Sequence, residues 1–99
     1  MKYGVVIPAR NERKFIGLTL KSLLRQSIPP QKIVVVDDSS SDGTVDIAEK
    51  LGATVIRIKR KSTANMVGTP YIAYLINKGF EVLESLKLDY VMISGADCL

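Results

Sequence analysis

Residues Lys32–Thr44 read KIVVVDDSSSDGT, and the fold turns on how this stretch is taken. Ile33, Val34, Val35 and Val36 form an unbroken apolar run with no polar alternation, the pattern of a strand covered on both faces. The run ends in two carboxylates, Asp37 and Asp38. Ser39-Ser40-Ser41-Asp42-Gly43 then supplies the residue types that turn a chain and cap a helix. A buried strand, an acidic tip, a turn and a helix start follow one another within thirteen residues.

The same grammar extends in both directions. Tyr3–Pro8, Ala53–Ile58 and Asp89–Ser94 each fit one further strand. The first and last are continuous apolar runs, expected to be covered on both faces, whereas Ala53–Ile58 alternates and suits an edge. Between the strands lie helical periods. In Glu12–Gln26, Ile16, Leu20, Leu23 and Leu24 form one apolar stripe, and Ile28-Pro29-Pro30 cannot continue the helix. Ser41 or Asp42 can cap a second helix lined by Val45, Ala48 and Leu51, with Gly52 at its left-handed end. Thr69 and Pro70 open a third, with the stripe Ile72, Ile76, Phe80, Leu83 and Leu86. The order β-α-β-α-β-α-β predicts a Rossmann-like α/β fold, a mostly parallel sheet with right-handed crossovers and helices on its faces. Residues 1–99 read as a single domain, with Lys59–Gly68 as the one long irregular loop.

Composition removes several classes of chemistry. Apolar residues at 46% and charged residues at 24% describe an ordinary globular chain rather than a disordered one. With no histidine, a Ser-His-Asp triad, a histidine base and a His-ligated zinc are excluded within these residues. The single Cys98 cannot form an internal disulfide or a thiolate cluster, so a reducing compartment, the cytoplasm, is expected. No stretch approaches the roughly 20 apolar residues of a membrane span, and any membrane segment would lie in sequence beyond these residues. The formal charge of +4, with four Tyr, two Phe and no reading motif, gives no support to nucleic-acid binding.

In a parallel sheet the strand C-termini share one edge, where open α/β folds bind ligands. Three polar segments fall there: Ala9-Arg10-Asn11-Glu12, Asp37–Gly43 and Gly95-Ala96-Asp97. They are expected to converge. No GxGxxG follows the first strand and no GxxxxGK[ST] occurs, so dinucleotide and P-loop readings lose their support. Carboxylates at strand ends can accept hydrogen bonds from base N–H and ribose hydroxyl groups, or hold a hard divalent cation. Plainer readings stand beside these. Ser39–Asp42 can be only a turn and cap, Asn11 and Glu12 can cap the first helix, and Arg57, Lys59, Arg60 and Lys61 can be a solvated basic face. The pair Asp37-Asp38 is harder to set aside, because neighbouring buried carboxylates repel unless something neutralises them.

Val6-Ile7-Pro8-Ala9-Arg10-Asn11-Glu12, followed by Val34–Thr44, resembles the opening of family 2 glycosyltransferases with the GT-A fold, whose pattern reads VIPAxNE and then VVDDGSxDGT. Ala73-Tyr74-Leu75-Ile76-Asn77-Lys78-Gly79 looks like the A-x-x-x-N-x-G stretch of the same family. The resemblance implies a strand order of 3-2-1-4 and the nucleotide-sugar-binding half of such an enzyme. It implies that Pro8, Ala9, Arg10, Asn11, Glu12, Asp37, Asp38 and Asn77 form the donor site, with Asp38 or Asp37 on the base and Glu12 on the ribose. It also implies Mg²⁺ or Mn²⁺ on the diphosphate, held by Asp97, the last residue of a D-x-D motif whose first Asp is here Gly95. The general base would lie beyond Leu99, so residues 1–99 are expected to bind donor without turning it over.

Two alternatives use the same residues. A sugar-nucleotide nucleotidyltransferase also begins with a strand and an IPAR-like segment, but continues into a Gly-rich basic loop that is missing here. A regulatory domain with an acidic pocket would use Asp37-Asp38 without catalysis, although receiver domains place their acidic pair after the first strand. The uncovered edge of the fourth strand is expected to promote self-association. A clean monomer over a wide concentration range would contradict that.

Overall fold

The computed structural model describes residues 2–59 and 69–95. Seven elements follow in order: β1 (Tyr3–Ala9), α1 (Arg13–Leu24), β2 (Lys32–Asp38), α2 (Thr44–Lys50), β3 (Thr54–Ile58), α3 (Thr69–Leu83) and β4 (Tyr90–Ile93). Every pairing is parallel and the sheet runs β3-β2-β1-β4. The order 3-2-1-4 and the Rossmann-like α/β class are as expected.

Strand alternation divides the core into two layers, because successive side chains leave opposite faces of the sheet. Val5, Ile7, Ile33 and Val35 form one buried cluster with Ile16 and Leu20 of α1 and Ala48 of α2. Val6, Val34 and Val36 form the other with Tyr71, Leu75 and Leu83 of α3. Helices therefore cover both faces of β1 and β2, which explains why these strands read as continuous apolar runs.

Three expectations are corrected. The buried stripe of α3 is Tyr71, Leu75, Gly79 and Leu83; of the expected stripe Leu83 is buried and Phe80 and Leu86 pack partly buried against the same cluster, whereas Ile72 is 44% exposed. The cause is close approach to the sheet. A Cβ built on Gly79 would lie 2.5 Å from Val6 Cγ1 and 3.2 Å from Val36 Cγ2, so α3 turns its smallest residue toward β1 and β2 at this close approach. Leu24 does not join the stripe of α1 but is exposed, and Thr19 is buried instead. The fourth strand is not covered on both faces. Tyr90, Met92 and Ile93 are exposed, and among the described residues no strand pairs with the outer edge of β4.

Pro8 sits in a central strand, where a missing N–H normally breaks a ladder. Ser94 N–H donates to Val6 O (3.0 Å) and Asp89 N–H to Lys2 O (2.7 Å), so the even-numbered residues of β1 direct their polar groups toward β4. The nitrogen of Pro8 faces that side two residues beyond Val6, the last residue of β1 paired with β4. No ladder bond is lost.

Candidate donor-binding site at the strand ends

The sheet order places a topological switch point between β1 and β4, since the chain moves from β1 toward β3 on one side and returns to β4 on the other. Ligands of open α/β sheets bind outside the strand C-termini at such a point. Two of the three predicted segments are brought together beside it. Asn11 N–H donates to Ser40 Oγ (2.8 Å), and Ser41 N–H donates back to Asn11 Oδ1 (2.8 Å). Glu12 N–H donates to Thr44 Oγ1 (3.0 Å), and Arg13 N–H donates to Asp42 Oδ2 (3.1 Å). The loop after β1 is thereby stitched to the loop after β2.

This stitching replaces the caps expected from the sequence. Glu12 occupies the N-cap position of α1 without a capping side-chain bond, and the free N–H of Arg13 is satisfied from the other loop by Asp42. At α2 the N-cap is Gly43, with φ of +92°, rather than Ser41 or Asp42. Asp42 Oδ1 accepts from both the N–H and the hydroxyl of Thr44. These bonds, the Thr44 hydroxyl first, hold the Asp42 carboxyl below its ordinary value, against a smaller opposing effect of desolvation; the Arg13 amide adds to them. Asn11 and Ser39 both take left-handed backbone, with φ of +51° and +57°. Such conformations in non-glycine residues cost about 1–3 kcal/mol and cluster at functional sites.

Asp37 and Asp38 are both buried, but the repulsion between them is reduced by pleating rather than by a shared counter-charge. As consecutive strand residues they leave opposite faces. Asp37 lies on the α1–α2 side, between Ala9 of β1 and Arg57 of β3. Its Oδ2 accepts from Ser40 N–H (3.1 Å), while Oδ1 is buried without a hydrogen-bond partner. Leaving a buried polar atom unpaired costs about 1–3 kcal/mol, and more for a charged one. Asp38 lies on the α3 side, and the hydroxyl of Tyr71 donates to its Oδ1 (2.7 Å).

The remaining candidates are distributed around these two. Pro8 is half-buried, Ala9 buried and Arg10 exposed at the end of β1. Arg57 and Lys59 are exposed at the end of β3. Asn77 is exposed on the side of α3 away from the sheet, two positions from both Leu75 and Gly79, and is not drawn to the strand ends. Gly79, its neighbour in the same motif, is the close-approach residue of α3. Ala96, Asp97, Arg60 and Lys61 lie outside the described residues. Among the described residues no group of three or more His, Cys, Asp or Glu is placed to hold a metal ion.

The model of glycosyl transferase family 2 matches residues 4–69, from β1 through the start of α3. The chain belongs to this family. It is 42% identical over 73 residues to 4,4'-diaponeurosporenoate glycosyltransferase of Staphylococcus haemolyticus (strain JCSC1435), covering 73% of this chain and 19% of that protein. The Staphylococcus aureus (strain USA300) counterpart is 36% identical over 70 residues, covering 71% and 18%. The chain thus spans about a fifth of the length of these curated relatives. Among solved structures, S. aureus TarS in complex with UDP-GlcNAc superposes with a TM-score of 0.66 at 28% identity, covering 98% of this chain and 27% of that one. Mannosyltransferase PcManGT from Pyrobaculum calidifontis, in complex with GDP-Man and Mn²⁺, gives a TM-score of 0.70 at 24% identity, covering 99% and 28%, and supports the fold. No helix among the described residues is long and apolar enough to cross a membrane.

Sequence reasoning gave no individual role to Tyr71, Thr44 and Ser40, which the structure ties to Asp38, Glu12 and Asn11. Thr44 and Ser40 stood inside the quoted stretch, where they read as turn residues. Tyr71 had one available signal: an aromatic residue carrying a polar handle, directly after Pro70 and four before the apolar Leu75.

Proposed function

We propose that residues 1–99 form the donor-binding portion of a glycosyltransferase that transfers a sugar from a nucleoside-diphosphate sugar to an acceptor hydroxyl. The observation that carries this reading is the pair of buried carboxylates at the ends of the central strands, one with an unpaired oxygen and one oriented by a phenol. An acceptor-only group at that place suits the N–H edge of a nucleobase or a ribose hydroxyl. Glu12, fixed at the start of α1 beside Thr44, is the ribose contact in this reading. The exposed Arg10, Arg57 and Lys59 supply positive charge near the strand ends for a diphosphate. The named complexes of the solved neighbours with UDP-GlcNAc and GDP-Man support the same class of ligand.

Mg²⁺ or Mn²⁺ belongs to this proposal, with Asp97 as the ligand that the family resemblance implies. When bound, such a cation neutralises charge on a departing diphosphate. The described residues bind and orient the nucleoside, and the base that deprotonates the acceptor is assigned to sequence beyond Leu99. Neither alternative, nucleotidyl transfer or a regulatory acidic pocket, is favoured by any observation on these residues.

Titration with UDP, GDP and their sugars by calorimetry, with and without Mn²⁺, tests the reading. Binding of one nucleotide, tighter with Mn²⁺ and weakened by EDTA, is expected, with no sugar transfer by these residues alone. A folded sample that binds none of them under either condition overturns it.

A further inference from the structure

We infer that Asn11 is a positioning residue for donor binding: it latches the loop after β1 to the loop after β2, and so holds Arg10 and Glu12 in register with the acidic tip of β2. The inference rests on the donor-binding reading above. It gives Asn11 a role exerted through its neighbours, where the family resemblance placed it in the donor site without one.

Two reciprocal bonds make the latch. Asn11 N–H donates to Ser40 Oγ, and Asn11 Oδ1 accepts from Ser41 N–H, both at 2.8 Å and across 29 and 30 residues of sequence. Ser40 carries the connection further, because its own N–H donates to Asp37 Oδ2 (3.1 Å). A chain of hydrogen bonds therefore runs from the Asp37 carboxylate through Ser40 to the backbone of Asn11. A shift of Asn11 relative to Asp37 stretches that chain, and Arg10 and Glu12 are the immediate neighbours of Asn11.

The latch explains the residue type. Asn11 takes left-handed backbone, with φ of +51°, a region that Asn enters more readily than most residues bearing a side chain. The latch also needs a short side chain ending in an acceptor. Glycine meets the first demand and not the second, and alanine meets neither. Asn11 and Ser41 are exposed and Ser40 is half-buried. Bonds in such a place add little to global stability, since water competes for the same groups. Their effect is on the geometry of the two loops, and loops ordered in advance lower the cost that a ligand otherwise meets on binding.

The test opens the latch from each side. Asn11→Gly keeps the left-handed backbone but removes the acceptor for Ser41 N–H, and Ser40→Ala removes the acceptor for Asn11 N–H. Both variants and the double variant are titrated with UDP and GDP by calorimetry, at a temperature where thermal unfolding shows every sample folded. Each single substitution is expected to weaken binding by about fivefold, the equivalent of one ordinary hydrogen bond. The double variant should be no more than about twofold weaker than either single, because the second substitution opens a latch already open. Without ligand, hydrogen exchange at the Ser41 amide should be faster in Asn11→Gly than in the wild type.

Single effects that multiply in the double variant overturn the inference, since Asn11 and Ser40 would then act independently, as separate contacts to the donor do. Unchanged affinity in Asn11→Gly, with or without a lower unfolding temperature, overturns it by reducing the bonds to a structural role. An unaltered exchange rate at Ser41 overturns it by removing the latch itself. These three outcomes leave the donor-binding reading intact. A folded wild-type chain that binds no nucleotide removes that reading and the inference together.

Discussion

On the side of the sheet that carries α1 and α2, the loops around the strand ends are joined by hydrogen bonds between backbone amides of one loop and side chains of the other. On the side that carries α3, contact with the sheet is made mainly by apolar packing, and the Tyr71–Asp38 bond adds a polar link. Asp37 faces the first environment and Asp38 the second. Polar stitching is sensitive to the loss of an acceptor but forgiving of volume. Close packing has the opposite weakness, because a single methylene is felt in an interior of near-crystalline density.

Glycine substitutions separate the two sides most sharply. Gly79→Ala should destabilise the chain by about 1–3 kcal/mol, the cost of overpacking, since the β-branched Val6 cannot swing clear. Gly17→Ala on α1 should instead stabilise by about 0.5–1 kcal/mol, the ordinary gain of replacing a helical glycine. There the added methyl meets only Ile47 Cγ2, at 3.5 Å. Urea denaturation of both variants checks the contrast, and a Gly79→Ala chain as stable as the wild type would erase it.

Thr44→Val probes the stitched side with almost no change in size. It strips the acceptor from Glu12 N–H and a donor from Asp42, for an expected loss of about 1–2 kcal/mol. Faster exchange at the Glu12 amide should accompany that loss. The smallest effect is electrostatic. The carboxyl of Asp42 is lowered below 3.8 in the folded chain, so the folded state binds a proton there less readily than the unfolded one. Its contribution is present above pH 3.8 and is lost as pH falls through the lowered value. Asp42→Asn should flatten that acid limb of stability measured by denaturation against pH.

Much of the architecture was legible because apolar continuity and helix punctuation are local signals. Val34–Val36 and Val5–Ile7 announced strands covered twice, and the sheet order followed from the family resemblance. The face of α3 was placed correctly at Phe80, Leu83 and Leu86 but misplaced at Ile72, because apolar character does not tell that Tyr71, Leu75 and Gly79 fit the sheet better. The capping of α1 by Asp42 was hidden for another reason: donor and acceptor are 29 residues apart, and local cap rules look only a few residues away. The carboxylate pair was singled out in the sequence and both members are buried, but its separation onto two faces needs the pleat, which the spelling of the sequence does not display. Convergence of the first two polar segments was legible; the third continues past Gly95, outside the described residues.

Pro8 gives the open end of the molecule a lasting property. Any extension of the ladder between β1 and β4 past Ser94 would ask this imino acid for an amide hydrogen that it does not have. At that position the ladder would lack one of its bonds, since the Pro8 carbonyl could accept but its nitrogen could not donate.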